Sequence, residues 1–175
     1  MCLGYLLLSW VIICSPVVRA AESAIRVGLT DAAQVLSIRS PDPFSIRLPS
    51  GKTFMASGQV TVRVREAGLI LNERAVDESH IWVEGSRGTY QVRVGTKFGK
   101  ADLSEIGQEW LVRGPLEIQS APSGLALINW IDLEDYVAGV VSGEVGAKWP
   151  IEALKAQAIA ARTYVLYKKV ENQLQ

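Results

Sequence analysis

Three side chains toward the end of this sequence have types and spacing that could do chemistry: Glu144, Lys155 and Arg162. Glu144 lies between Gly143 and Gly146, small residues that let another chain come close. Trp149 follows, with a flat apolar face of the kind that lines sugar sites. A carboxyl partly walled by apolar groups holds its proton more tightly than one in water, as a general acid near neutral pH requires. An exposed loop glutamate without a role is the other reading of the same residues. Lys155 and Arg162 are seven residues apart and, at about 100° per residue, share one azimuth of a helix. Both project from within an apolar arc, with Ile151, Leu154, Ala158, Ala161 and Val165 on one side and Ile159 and Leu166 on the other. A buried, unpaired cation is expensive, so each should meet an anion. That anion belongs either to a ligand or to the protein, with acids such as Glu134 or Asp135 as partners, unless the long stems snorkel to the rim.

Other catalysts are scarce. Both cysteines, Cys2 and Cys14, fall in the first segment, and the single histidine is His80. A chain without that segment has no thiol nucleophile, no disulfide framework and no Cys/His zinc site. A Ser-His-Asp triad would need His80, which reads as a solvent-exposed turn residue in Asp77-Glu78-Ser79-His80. Carboxylates remain.

The elements that must position them change character along the chain. From Ala24 to about Gln119 short alternating runs predominate: Ile25 to Leu29, Val60 to Val64 and Tyr90 to Val94 carry apolar residues at period two, the pattern of strands with one buried face. Prolines and glycines supply turns between them. Asp31 to Leu36 is the best helix candidate in this part. After Gly124 the order becomes strand, helix, loop, helix. Leu125 to Ile131 reads as a buried strand, and Asp132 as the cap of a helix whose first turn carries Glu134 and Asp135. Gly143 is its natural stop. Pro150 suits the first turn of the next helix, which runs from Ile151 to about Lys169. The fold class expected is α+β, with a β-rich front part followed by a strand and two helices that carry the site.

With 175 residues, 49% hydrophobic and 21% charged, the chain is long and apolar enough for one domain with a core. Its 18 basic and 18 acidic residues balance, which gives no electrostatic reason to expect nucleic acid as a partner. Residues 1–20 read as a secretory leader: an apolar run from Leu6 to Cys14, Pro16 as a break, and Val18-Arg19-Ala20 as a cleavage site. The apolar run from Leu3 to Val18 is short for a ~20-residue membrane span. The expectation is an exported protein of the cell envelope or exterior, touching membrane only through an uncleaved leader.

The stretch Leu133-Glu-Asp-Tyr-Val-Ala-Gly-Val-Val141, Glu144, and Trp149-Pro-Ile-Glu-Ala-Leu-Lys-Ala-Gln-Ala-Ile-Ala-Ala-Arg-Thr-Tyr164 closely resembles the SpoIID/LytB family of bacterial cell-wall proteins. Weaker similarity lies upstream in Ile25 to Leu29, Arg87 to Tyr90 and Leu127 to Asn129, so that residues 21–175 resemble such a domain, most strongly over 127–164. The resemblance implies a lytic transglycosylase acting on peptide-stripped peptidoglycan strands, with Glu144 in the catalytic position. It implies that Lys155, Arg162 and Trp149 bind substrate, and that neither metal nor organic cofactor is needed. The alternatives are a non-catalytic cell-wall module that assists an amidase, and an exported fragment with no activity. Ordinary glycosidases use two carboxylates, whereas a lytic enzyme can work with one. The family's usual Glu-Met-Pro is Glu144-Val145-Gly146 here, which predicts a looser loop. Family members also continue past this last helix, so the resemblance implies that these 175 residues carry only the front portion of the domain.

Overall fold

The computed structural model describes residues 24–85, 88–95, 108–145 and 148–173. Expectations that rest on the leader, on Arg87 and on Gly146 lie outside them. The described chain forms β1 (Ala24–Ala33), β2 (Val35–Arg47), β3 (Thr53–Arg65), β4 (Gly68–Leu71), β5 (Arg74–Val76), β6 (His80–Gly85), β7 (Thr89–Gly95), β8 (Gln108–Arg113), β9 (Leu116–Ala121) and β10 (Gly124–Asp132). Two helices follow, α1 (Leu133–Glu144) and α2 (Ile151–Gln173). The architecture is α+β but dominated by antiparallel sheet, and all three alternating runs named above are strands.

Ten strands make one sheet, in the order β1-β10-β9-β6-β2-β3-β4-β5, with β7 joining β2 to β8. The long β2 changes partners along its length. Val35 to Arg39 pairs with β7, Phe44 to Arg47 pairs with β6, and β3 follows it throughout. The change falls at Pro41-Asp42-Pro43, where the β2–β3 register also shifts. Proline cannot donate to a ladder, so a bend is cheapest there. The bend lets both halves share one core, with Leu36, Ile38, Val62, Tyr90 and Val92 from one half meeting Phe44, Ile81, Leu116, Ile118 and Leu127 from the other.

Asp31 to Leu36 is not a helix. Asp31, Ala32 and Ala33 end β1, and Val35 and Leu36 begin β2. Ala33 pairs with Leu125, Val35 pairs with both Arg63 and Gly95, and Ala33 and Leu36 are fully buried. Pairing and burial on both sides outweigh the weak helix preference of Asp-Ala-Ala-Gln.

The strand that feeds the helices is fixed firmly. Asn129, itself buried, donates from its amide to the carbonyls of Arg113 (2.7 Å) and Pro115 (3.3 Å), and the Trp130 amide donates to Pro115 (2.8 Å). Gly114 makes this approach possible: its φ is +86°, and a Cβ there would stand 2.0 Å from the Trp130 carbonyl oxygen.

Candidate functional site

β10 delivers the chain to α1 at Asp132, whose carboxylate accepts from the Glu134 amide at 2.8 Å. This is the expected cap, with Glu134 and Asp135 in the first turn. α1 runs through Gly143 to Glu144, one residue past the expected stop, because Gly143 keeps a helical conformation and the extended Val145 ends the helix. Val145 is not loose. It is buried, and its amide donates to the Val141 carbonyl at 3.1 Å. Pro150 stands just before α2 rather than inside its first turn, and its carbonyl accepts from Ala153 (2.9 Å) and Leu154 (3.1 Å).

The two helices enclose an open groove of about 400 Å³. Val137, Val141 and Val145 form one wall, Leu154 and Ala158 the other, and Glu134 and Arg162 also line it. Arg162 meets Glu134 in a two-pronged ion pair, Nε to Oε1 at 2.9 Å and Nη2 to Oε2 at 2.6 Å. The hydrogen bonds from Arg162, helped by its charge, hold the Glu134 carboxyl below its ordinary range, and Glu134 raises Arg162 in return. This is one of the pairings that the helical plot allowed, with the anion supplied by the protein.

Glu144 is exposed, at the end of α1 beside the groove-lining Val145. Its Oε2 accepts a short hydrogen bond from the Gln157 amide of α2. The apolar walling expected around this carboxyl is therefore not seen among the described residues, and what orients it is an amide across the helix pair. Gln157 ends the Lys155-Ala156-Gln157 triplet, and nothing local in the sequence marks it. Only its register against Glu144, which appears once the helices are packed, singles it out. Lys155 differs from expectation. Its side chain is 62% exposed and pairs with Glu152 on its own helix at 2.9 Å, so it stands off the groove. Trp149 is 54% exposed before α2, an open ring rather than a packed one. The structure thus joins Arg162 to Glu134 and Glu144 to Gln157, and leaves Lys155 and Trp149 to solvent.

His80 is not an exposed turn residue. It begins β6, packs at a tilt against Trp82 with ring centres 4.0 Å apart, and pairs in the ladder with Gln119 of β9. Among the described residues no group of three or more His, Asp or Glu side chains lies together as metal ligands would, and no helix is long and apolar enough to cross a membrane.

The family described as SpoIID, Stage II sporulation protein, matches residues 121–175, from the end of β9 through both helices. This stretch belongs to the SpoIID family. The SpoIID match begins just ahead of the strand that feeds α1 and spans the whole groove. The chain is 50% identical over 157 residues to an uncharacterized protein of Brachyspira hyodysenteriae, covering 87% of this chain and 38% of that protein. It is 42% identical over 66 residues to the Stage II sporulation protein D of Bacillus subtilis, covering 38% of this chain and 19% of that one. The protein of the same description from Bacillus amyloliquefaciens is 52% identical over 42 residues, 24% of this chain and 12% of its own length. The chain therefore spans well under half of each of these relatives. No solved structure matches it significantly.

Proposed function

We propose that the SpoIID stretch acts on the bacterial cell wall, as the catalytic part of a lytic transglycosylase that cleaves peptide-stripped peptidoglycan strands. The observation that carries this reading is the hydrogen bond from Gln157 to Glu144, the carboxylate that the resemblance puts in the catalytic position, one residue before the groove-lining Val145. The carboxyl gives its proton to the glycosidic oxygen as the bond to the anomeric carbon breaks. It then takes the proton of the same sugar's 6-hydroxyl as that oxygen closes on the anomeric carbon, which leaves a 1,6-anhydro ring and restores the acid. Trp149, open beside the α2 start, offers a face for a sugar ring. The outer edge of Arg162, which lines the groove, supplies a cation for acidic sugar substituents, whereas Lys155 could meet only those that lie outside it.

Mass spectrometry of digested glycan tests the reading. The full-length protein should release anhydro products, and Glu144→Gln should abolish release while glycan binding persists, because the shape is kept and the proton removed. Wild-type release from the Gln variant would place the catalyst elsewhere. The exposure of Glu144 favours a second reading, a non-catalytic wall-binding module that assists an amidase; binding without any product from the full-length protein would select it. We propose export by cleavage of residues 1–20. The protein from the envelope fraction should then begin at about Ala21 by N-terminal sequencing, and a cytoplasmic protein retaining Met1 would refute this.

A further inference from the structure

The outer face of the sheet carries a row of side chains that the helix groove does not use. Arg47 of β2 pairs with Trp82 of β6, and Trp82 with Glu117 of β9. Glu117 stands opposite Ile128 of β10, and two residues on, Trp130 stands opposite Arg26 of β1. Strand alternation puts all of these on one face, while Ile81, Val83, Leu116, Ile118 and Leu127 between them enter the core.

The chemistry of this row is specific. The Glu117 side chain is only 7% exposed although it lies on the outer face. Arg26 donates to its Oε1 at 3.0 Å, and the Trp130 indole donates to its Oε2 at 2.7 Å. The His80 Nε2 is buried 3.3 Å from Oε1 without a hydrogen bond to any described residue. The Arg26 guanidinium lies over the Trp130 ring at 5.3 Å, and that of Arg47 over Trp82 at 4.4 Å while pairing with Glu84 at 3.0 Å. Each of these cation–ring contacts leaves guanidinium and indole partly open to solvent.

We propose that this face is a binding surface for a glycan chain, separate from the α1–α2 groove. Both arginines are matched by carboxylates, so net charge does not drive binding, while their exposed edges can meet the acidic substituents of a peptide-free strand. What it offers is the open parts of two indoles, each covered in part by an arginine, beside groups that donate and accept at fixed angles, which suits a ligand made of hydroxyls on apolar rings. Two ladder steps and one two-residue offset set the Trp82 and Trp130 Cα atoms roughly 12 Å apart, about the span of two sugar rings. Gly28 extends the floor next to Trp130: it is exposed, pairs with Ile128, and a Cβ there would meet nothing within 4 Å. Trp130 is two residues from the Asp132 cap, so a strand on this face leads toward the helix pair. The choice of a cell-wall glycan rests on the reading of the groove, but the binding asks nothing of Glu144.

Co-sedimentation of the full-length protein with purified, peptide-free peptidoglycan glycan tests the proposal. Gly28→Val raises the floor where space is open and suits a strand, and Arg47→Ala removes an exposed guanidinium. We expect either change to weaken binding about tenfold at an unchanged melting temperature, with Trp82→Ala weakening it further if it folds. Wild-type affinity in both folded variants, Gly28→Val and Arg47→Ala, would overturn the proposal. Active Glu144→Gln would sink the catalytic reading and leave these binding results untouched.

Discussion

At Arg162 one side chain makes two parallel hydrogen bonds to a single carboxylate, and geometry more than charge defines the contact. A lysine supplies charge without the planar fork. Arg162→Lys should therefore behave more like Arg162→Ala than like the parent in groove function, which glycan-cleavage rates of the three proteins check. The pair also has a pH signature. Glu134 has its folded value lowered from an ordinary 4.5, so the unfolded chain binds its proton more readily. The pair's contribution is present above that ordinary value and is lost as pH falls through the lower folded one. Because Glu134 is exposed and Arg162 partly so, the effect is small: we expect Arg162→Ala to lower the thermal midpoint by about 1–3 °C at neutral pH and low salt. The difference should fade as pH drops below that ordinary value and shrink in 1 M salt. A gap that persists in acid would show that Arg162 acts through packing of its stem instead.

Asp132 works at the scale of the element, since its carboxylate decides where strand ends and helix begins. Asp132→Ala should cost about 1 kcal/mol, the usual worth of such a cap, and should fray the turn that carries Glu134. Urea unfolding gives the cost, and a larger loss of glycan cleavage than of stability would show that the turn positions the groove. Unchanged stability would mean that β10 alone fixes the start of α1. This junction was legible in the sequence because Asp-x-Glu-Asp after a buried strand is a local signal, read within four residues. The three alternating strands were legible for the same reason. Asp31 to Leu36 was not, because its fate depends on Leu125, Arg63 and Gly95, partners that lie far away in sequence. For His80 the cause is the same: local turn residues surround it, while Glu117, which it faces at 3.3 Å, lies far away in sequence and arrives with the sheet. At the candidate site, periodicity found Arg162 and proposed its anion, yet it put Lys155 in the same class. Azimuth alone cannot tell that Glu152, three residues away, would hold Lys155 outside.

The whole molecule is uneven in how firmly its parts are held. The bent sheet closes around its own core, whereas α1 buries only Val137 and no residue of α2 from Ile151 to Glu171 is fully buried. α2 is tied by the groove wall, by Arg162 and Gln157, and by Lys169, which donates to the Ala24 carbonyl at 3.2 Å. Leu154 and Ala158 fill the side toward α1, so the apolar arc is split and its other half stays open. Ile159 (63% exposed), Leu166 and Val170 (56% exposed) repeat along that half at helical spacing, with Tyr167 beside them. A stripe of this kind on a solvent face is an association hazard. The purified 175-residue polypeptide should bind a hydrophobic dye and self-associate as its concentration rises. Replacing Ile159 and Val170 together by Lys should suppress both effects at little cost in stability, since exposed positions of this kind usually change it by within about 0.5 kcal/mol each. Dye fluorescence and sedimentation velocity decide the matter. Equal dye binding by the doubly substituted chain would mean that the accessible apolar surface lies elsewhere, and a fall of several degrees in its melting temperature would mean that this half of the arc is covered in solution.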